Sequence, residues 1–231
     1  MMTTPHQVLK QVLTIPPLEN GDRLSRAEFE RRYEAMPELK KAELVEGVVY
    51  IASPLRIKSH GEPHGNLVTW LGTYKAFTPG VILGIEPTVR LDPDNEPQPD
   101  AVLFIPGRRA SISQDDYIEG APELIVEIAA SSAAIDLHDK KQAYRRNQVQ
   151  EYLVWRTLEG QLDWFALEAD EYVAIAPDET GILQSRVFPG LWLAINALLA
   201  GQIPEVLSTL QKGLETSAHQ DFVKSLASAP A

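Results

Sequence analysis

Gln98-Pro99-Asp100-Ala101-Val102-Leu103-Phe104-Ile105 and Pro122-Glu123-Leu124-Ile125-Val126-Glu127-Ile128-Ala129 are two apolar runs with acidic residues set into them. Asp100 opens the first, and Glu127 lies inside the second. The Glu127 run is too short and too rich in branched residues for a helix, so it reads as a strand, and the Asp100 run reads the same way. Side chains alternate across a strand, which puts Glu127 on one face with Ile125 and Ala129. If both faces are covered, that carboxylate needs a partner, because an isolated buried charge costs several kcal/mol even after relaxation. Asp100 poses the same problem at the mouth of its strand. Two carboxylates on neighbouring strands repel each other unless a cation sits between them, and a hard divalent ion with oxygen ligands suits that place. The plainer alternative is a salt bridge at Glu127 and a turn cap at Asp100 after Pro99.

Downstream, Ser131-Ser132 are placed to cap a helix from about Ala133 to Asn147, in which Lys140 stands four residues before Tyr144. On a helical wheel Leu137 and Tyr144 point one way, with Lys140 and Lys141 to either side. A lysine beside an apolar stripe can simply snorkel to water. Helix geometry alone does not choose between the two.

The chain has 231 residues, 44% hydrophobic and 23% charged, the composition of an ordinary globular protein. It has no cysteine, which excludes disulfides, thiolate zinc sites and cysteine nucleophiles, and fits a reducing cytoplasm. Met1 to Lys10 carry no signal-peptide core and no run approaches membrane-spanning length, so a soluble, cytoplasmic protein is expected. A net charge of −11 argues against nucleic-acid binding by the whole surface. Any such contact would need a local patch, for which Lys40-Lys41, Arg108-Arg109, Lys140-Lys141 and Arg145-Arg146 are the available pairs.

Upstream, residues 1–24 read as a loose lead-in broken by Pro5, Pro16, Pro17 and Gly21. Ser25 with Glu28 forms a capping-box pattern for a helix over Arg26 to Met36, ended by Pro37. Glu43-Leu44-Val45 and Val48-Val49-Tyr50-Ile51 flank Glu46-Gly47 as a hairpin. Residues 59–78 read as a helix with an apolar face of Leu67, Val68, Trp70, Leu71 and Tyr74. His60 and His64 have metal-ligand spacing, but Gly61, Pro63 and Gly65 interrupt that turn and no third ligand is near. One histidine at the rim of a cleft is the better reading.

Val81 to Leu91 reads as one strand, and Asp92 to Pro97 as a turn without the spacing of a calcium loop. The polar loop Pro106 to Gly120 is mobile by composition and expected beside the site. Strands follow at Glu151 to Arg156, Gln161 to Leu167 and Tyr172 to Ile175. Val187 to Leu193 reads as core or a dimer surface. Short helices are expected at Ala194 to Leu199 and Pro204 to Leu214, and a frayed tail from Thr216 to Ala231.

The ordered set Glu43-Leu44-Val45-Glu46-Gly47, Ser53-Pro54, Gln98-Pro99-Asp100, Gly120 to Glu127, Asp136, Lys140-x-x-x-Tyr144 and Glu151-Tyr152 resembles the Uma family of endonucleases, within the PD-(D/E)xK superfamily. The resemblance covers roughly residues 24–195. It implies an α/β (α+β) fold, a restriction-endonuclease-like core with a central mixed sheet flanked by helices. On that basis residues 25–195 form the nuclease domain, 1–24 a lead-in and 196–231 a C-terminal helical extension.

It also implies metal-dependent phosphodiester hydrolysis in DNA, with Asp100 and Glu127 holding Mg2+ (or Mn2+ in its place). Two residues after Glu127 stands Ala129 rather than lysine, and the position that matches the displaced catalytic lysine is Lys140. Glu43, Gln98 and Tyr144 are implied as substrate or support residues. A homodimer is implied by analogy, with a surface around Phe188 and Trp192. Two other readings fit the same residues: an inactive nuclease-like module acting through dimerisation or partner binding, and a hydrolase of smaller phosphoesters.

Overall fold

Continuous burial of the two carboxylate-bearing runs fits their place as neighbours inside one sheet, covered on both faces. The computed structural model describes residues 15–130 and 132–228. Helix α1 (Arg26–Glu34) precedes a hairpin of β1 (Ala42–Val45) and β2 (Val48–Ile51). A π-helical turn, Ile57–Gly61, runs into α2 (Glu62–Phe77). Then come β3 (Ile82–Ile85), β4 (Val89–Arg90), β5 (Ala101–Phe104), β6 (Ala110–Ile112), β7 (Ile118–Gly120) and β8 (Leu124–Ala129). A crossover of α3 (Ala133–Ile135), a second π-helical turn Asp136–Lys140, and α4 (Lys141–Arg146) leads to β9 (Glu151–Arg156). After β10 (Gln161–Glu168) and β11 (Glu171–Ala174), a hairpin of β12 (Ile182–Gln184) and β13 (Trp192–Ala194) precedes α5 (Ile195–Leu199), α6 (Ile203–Leu214) and α7 (Ser217–Ala227).

The main sheet has the order β11-β10-β9-β8-β5-β3, and β8–β9 is its parallel pair. A parallel pair needs a crossover, and α3–α4 supplies it. One face packs Leu124, Val126 and Leu153 against Leu67, Trp70 and Tyr74 of α2 and against Leu198, Val206 and Leu210 of the C-terminal helices. The other face packs Ile125, Ala129 and Val154 against Tyr144 of α4. Because both faces are covered, all six residues of β8 are buried. Glu127 lies on the α4 side, between Ile125 and Ala129, as strand alternation requires. The fold is the mixed α/β arrangement expected, a central mixed sheet flanked by helices.

The β1–β2 turn has Glu46 and Gly47 at φ 51° and 72°, the left-handed pair that a two-residue hairpin needs. The acidic turn upstream of β5 buttresses it. Asn95 Oδ1 accepts the Glu46 N–H at 2.8 Å, and the Asp94 carbonyl accepts the Gly47 N–H at 2.8 Å. The Asn95 amide oxygen and the Asp94 carbonyl therefore stabilise the hairpin that carries Glu43.

Several expectations are corrected. The Val81–Leu91 strand breaks at Glu86 (φ 49°) and Pro87, because proline has no N–H to continue a ladder. Its second half, β4, joins a separate sheet ordered β4-β7-β6. The loop from Pro106 to Gly120 contains β6 and β7 and leaves the end of β5 opposite Asp100, so it does not line the cleft. Ser25 begins α1 without a side-chain cap bond, since Glu28 is drawn to Arg31 and Arg32 at 2.7 Å each. Ser132 likewise makes no cap bond, and Ser131 lies outside the described residues, as does the lead-in over residues 1–14.

The expected frayed tail forms α7, capped by Thr216 Oγ1 accepting the His219 N–H, with Phe222 and Leu226 packed on the core. Residues 229–231 of that tail lie outside the described residues. Phe188 is fully enclosed between Tyr74 and Phe222, which removes it from any dimer surface. Among the described residues no helix is long and apolar enough to cross a membrane.

Two enclosed carboxyls away from the cleft give the fold a pH dependence. Burial pushes Glu151 up to about 7, even though Ser185 Oγ and the Arg186 and Val187 N–H groups donate to it. Burial, reinforced by neighbouring Glu30, pushes Glu96 up to about 8. Both exceed the unfolded value of about 4.3, so the folded chain binds more protons between those limits and loses stability as pH rises through them. The melting temperature should therefore fall from about pH 5 to about pH 8.5. A flat or rising melting curve over that range would contradict these assignments.

Candidate active site

The sheet register sets Ala101 of β5 opposite Val126 of β8, which brings Asp100 beside Glu127. Asp100 is held from two directions. Its Oδ2 accepts the Ile128 N–H at 2.7 Å, and its Oδ1 is 3.0 Å from His60 Nε2. The Asp100 carbonyl is 3.0 Å from His64 Nε2. Burial would raise the Asp100 carboxyl, but the His60 imidazole, Lys41 and the Ile128 N–H together hold it below its ordinary value.

Glu127 Oε1 accepts from Lys140 Nζ at 2.9 Å and from the Tyr144 hydroxyl at 2.8 Å. The same Nζ donates to Glu43 Oε1 at 2.9 Å and lies 3.7 Å from Asp136 Oδ1. Glu43 Oε1 also accepts the Gln98 backbone N–H at 2.7 Å. Gln98 supports the site through its backbone, while its side chain reaches Thr88. The structure chooses between the two lysines: Lys140 is 5% exposed inside this network, and Lys141 lies 3.4 Å over the Phe165 ring.

Charge is unbalanced here. Burial pushes the Glu127 carboxyl up to about 8; Lys140 opposes this, while Asp136, Asp100 and Glu43 add to it. Burial would discharge Lys140, but Glu127, Glu43 and Asp136 outweigh that and keep its amine well above the ordinary range. Burial and the adjacent Glu127 also raise the Tyr144 hydroxyl, so it stays a neutral donor. One ammonium thus faces three carboxyl groups, with Asp100 close by. The cleft, about 650 Å3, is lined by Lys41, Glu43, His60, Asp100, Glu127 and Lys140 among others.

Of the residues expected in the site, Asp100, Glu127, Lys140, Glu43 and Tyr144 are brought together through their side chains. Two more were missed. Only one histidine of His60 and His64 was expected, and only at a cleft rim; His60 lines the cleft and is buried against Asp100. Asp136 is 2% exposed, accepts from Ser132 Oγ at 2.6 Å, and lines the cleft. Each comes from a π-helical turn, an uncommon conformation that widens a helix and tends to mark functional positions. The signal available in the sequence was the coupling of each residue to a helix start: His60 before Glu62-Pro63, and Asp136 four residues from Ser132 and from Lys140. Among the described residues no three carboxylate or imidazole side chains are grouped closely enough to hold a metal ion unaided.

Comparison with known proteins agrees with the fold. A family model described as "Uma2: Putative restriction endonuclease" matches residues 26–196. A crystal structure from Anabaena variabilis ATCC 29413, described as a "putative nuclease belonging to DUF820", superposes with a TM-score of 0.52. The match covers 78% of this chain and 97% of that one at 14% identity, a likeness of fold. No curated protein matches the chain.

Proposed function

The chain belongs to the Uma2 family, and on that premise we propose that it is a metal-dependent endonuclease that hydrolyses phosphodiester bonds in DNA. The observation that carries this reading is the Asp100–Glu127 pair across β5 and β8, with Lys140 bonded directly to Glu127. The donor set fits Mg2+ or Mn2+. The buried carboxyls outnumber the one ammonium, and a hard cation favours oxygen donors. Magnesium is commonly held by only one or two carboxylates and completes its shell with water and substrate phosphate, which suits a site without a ready-made cage.

Asp100 and Glu127, with the Ile128 carbonyl, are the groups that would hold the ion. When bound, it supplies a water of lowered pKa and stabilises charge on the scissile phosphate. Lys140 orients that water or donates toward the developing negative charge, held in place by Glu43 and Asp136. Tyr144 fixes Glu127 Oε1, so the carboxylate does not rotate away from the cleft.

Contact with DNA is local. Lys41 and Arg56 line the cleft, and neither is in an ion pair with a described residue. One observation favours the rival partner-binding reading: Leu55 and Leu158 also line the cleft and are 58% and 71% exposed.

The deciding experiment incubates the purified protein with duplex, single-stranded and branched DNA, with Mg2+ or Mn2+ and with a chelator. Cleavage that needs the metal and stops on chelation is expected. Intact DNA with both metals would reject the proposal. Hydrolysis of a small phosphodiester alone would move the assignment to the smaller-substrate reading.

A further inference from the structure

We infer that His60 is a positioning residue that locks the Asp100 carboxylate for metal binding, an inference that rests on the metal-dependent reading above. Asp100 spans two elements: Oδ2 takes the Ile128 N–H of β8, and Oδ1 meets His60 Nε2 from the turn that starts α2. Since the ionised carboxylate only accepts, Nε2 is the donor. The two bonds fix the carboxylate plane between sheet and helix and use one lone pair on each oxygen. A second lone pair on each oxygen stays available to a ligand.

Packing alone does not account for the ring. Its side chain is 8% exposed, and Nδ1 is enclosed without a hydrogen-bond partner. A buried, unpartnered ring nitrogen is unfavourable, and an apolar side chain at position 60 would avoid it. What the imidazole contributes is the single bond from Nε2. The surrounding turn is built to deliver it: the Arg56 carbonyl accepts both the His60 and the Gly61 N–H groups, at 3.0 and 3.1 Å. The His64 ring stands edge-on to His60 at 5.7 Å and holds the Asp100 carbonyl. The π-helical turn and the first turn of α2 therefore clamp Asp100 by side chain and main chain respectively, as donors behind a metal ligand orient it in known metal sites.

The test compares wild type with His60→Leu, which removes the donor, and His60→Gln, which keeps one near the same place. Mn2+ affinity is measured by calorimetry, and Ile128 amide hydrogen exchange by NMR without metal, after thermal melts confirm folding. His60→Leu should weaken Mn2+ binding about tenfold to a hundredfold, with His60→Gln recovering to within about threefold. Ile128 exchange should speed up in His60→Leu and return toward wild type in His60→Gln, because Asp100 Oδ2 is that amide's acceptor.

If His60→Leu does not fold, His60→Asn, polar but too short to reach Asp100, takes its place. Unchanged Mn2+ affinity and unchanged Ile128 exchange in a folded variant would overturn the inference. A wild type that binds no Mn2+ and cleaves no DNA would overturn the metal-dependent reading instead. The Ile128 exchange rates would then still decide whether His60 positions Asp100.

Discussion

Glu127→Gln is expected to lower metal-dependent cleavage by on the order of 10^3-fold while leaving the protein folded and at least as stable as wild type. The substituted amide keeps the shape and one carbonyl oxygen, which can still accept from Lys140 and Tyr144. What disappears is the negative charge that would hold the ion. Stability survives because the folded state already disfavours that charge: burial pushes the Glu127 carboxyl up to about 8, well above its unfolded value. A group raised on folding costs stability as pH climbs through its folded value, so the variant should gain on wild type at alkaline pH. Initial cleavage rates and thermal melts together read both halves. Near-wild-type cleavage by Glu127→Gln would remove Glu127 from the metal-binding role.

Lys140→Met should affect both cleavage and folding. The ammonium is enclosed and faces Glu43 and Glu127 at 2.9 Å and Asp136 at 3.7 Å. Removing one partner of a buried ion network leaves the others uncompensated, a loss of about 3–5 kcal/mol. Part of that loss is relieved if the orphaned carboxyls take up protons. The Glu127 and Asp136 carboxyls are already raised by burial with Lys140 opposing, and without Lys140 they should rise further. The deficit should therefore be largest at about pH 8 and shrink towards about pH 5. Denaturant titrations at both pH values measure it, and adding Glu127→Gln should return part of the lost stability, the sign of direct coupling. A small deficit that does not vary with pH would mean that Lys140 is no charge anchor for this cleft.

The central strands were legible because their chemistry is local: an apolar run of strand length, an alternating face, and one carboxylate that had to find a partner. The choice of Lys140 over Lys141 was not legible from helix geometry. Both flank the same stripe, and the π-helical turn ending at Lys140 alters the angular spacing that a regular wheel assumes. His60 was undervalued for a related reason. Gly61, Pro63 and Gly65 look like breakers, yet Gly61 closes a π-helical turn and Pro63 sits in the first turn of α2, where its missing N–H does no harm. The C-terminal helix was overlooked because Phe222 and Leu226 are sparse apolar residues in a polar segment. Their burial depends on Phe188 and the rest of the core, contacts far away in sequence.

The parallel pairing of β8 with β9 also matters while the chain is being made. As the polypeptide leaves the ribosome, β3, β5 and β8 can assemble as antiparallel neighbours, β5 and β8 each pairing with a strand already synthesised. The far edge of β8 must then wait for the crossover and for β9. During that interval a strand that ends fully buried presents an open hydrogen-bonding edge, the kind of surface through which nascent chains stick to one another. The α3–α4 crossover, which carries Asp136, Lys140 and Tyr144, is also the segment whose length sets that delay. A longer crossover would prolong that exposure.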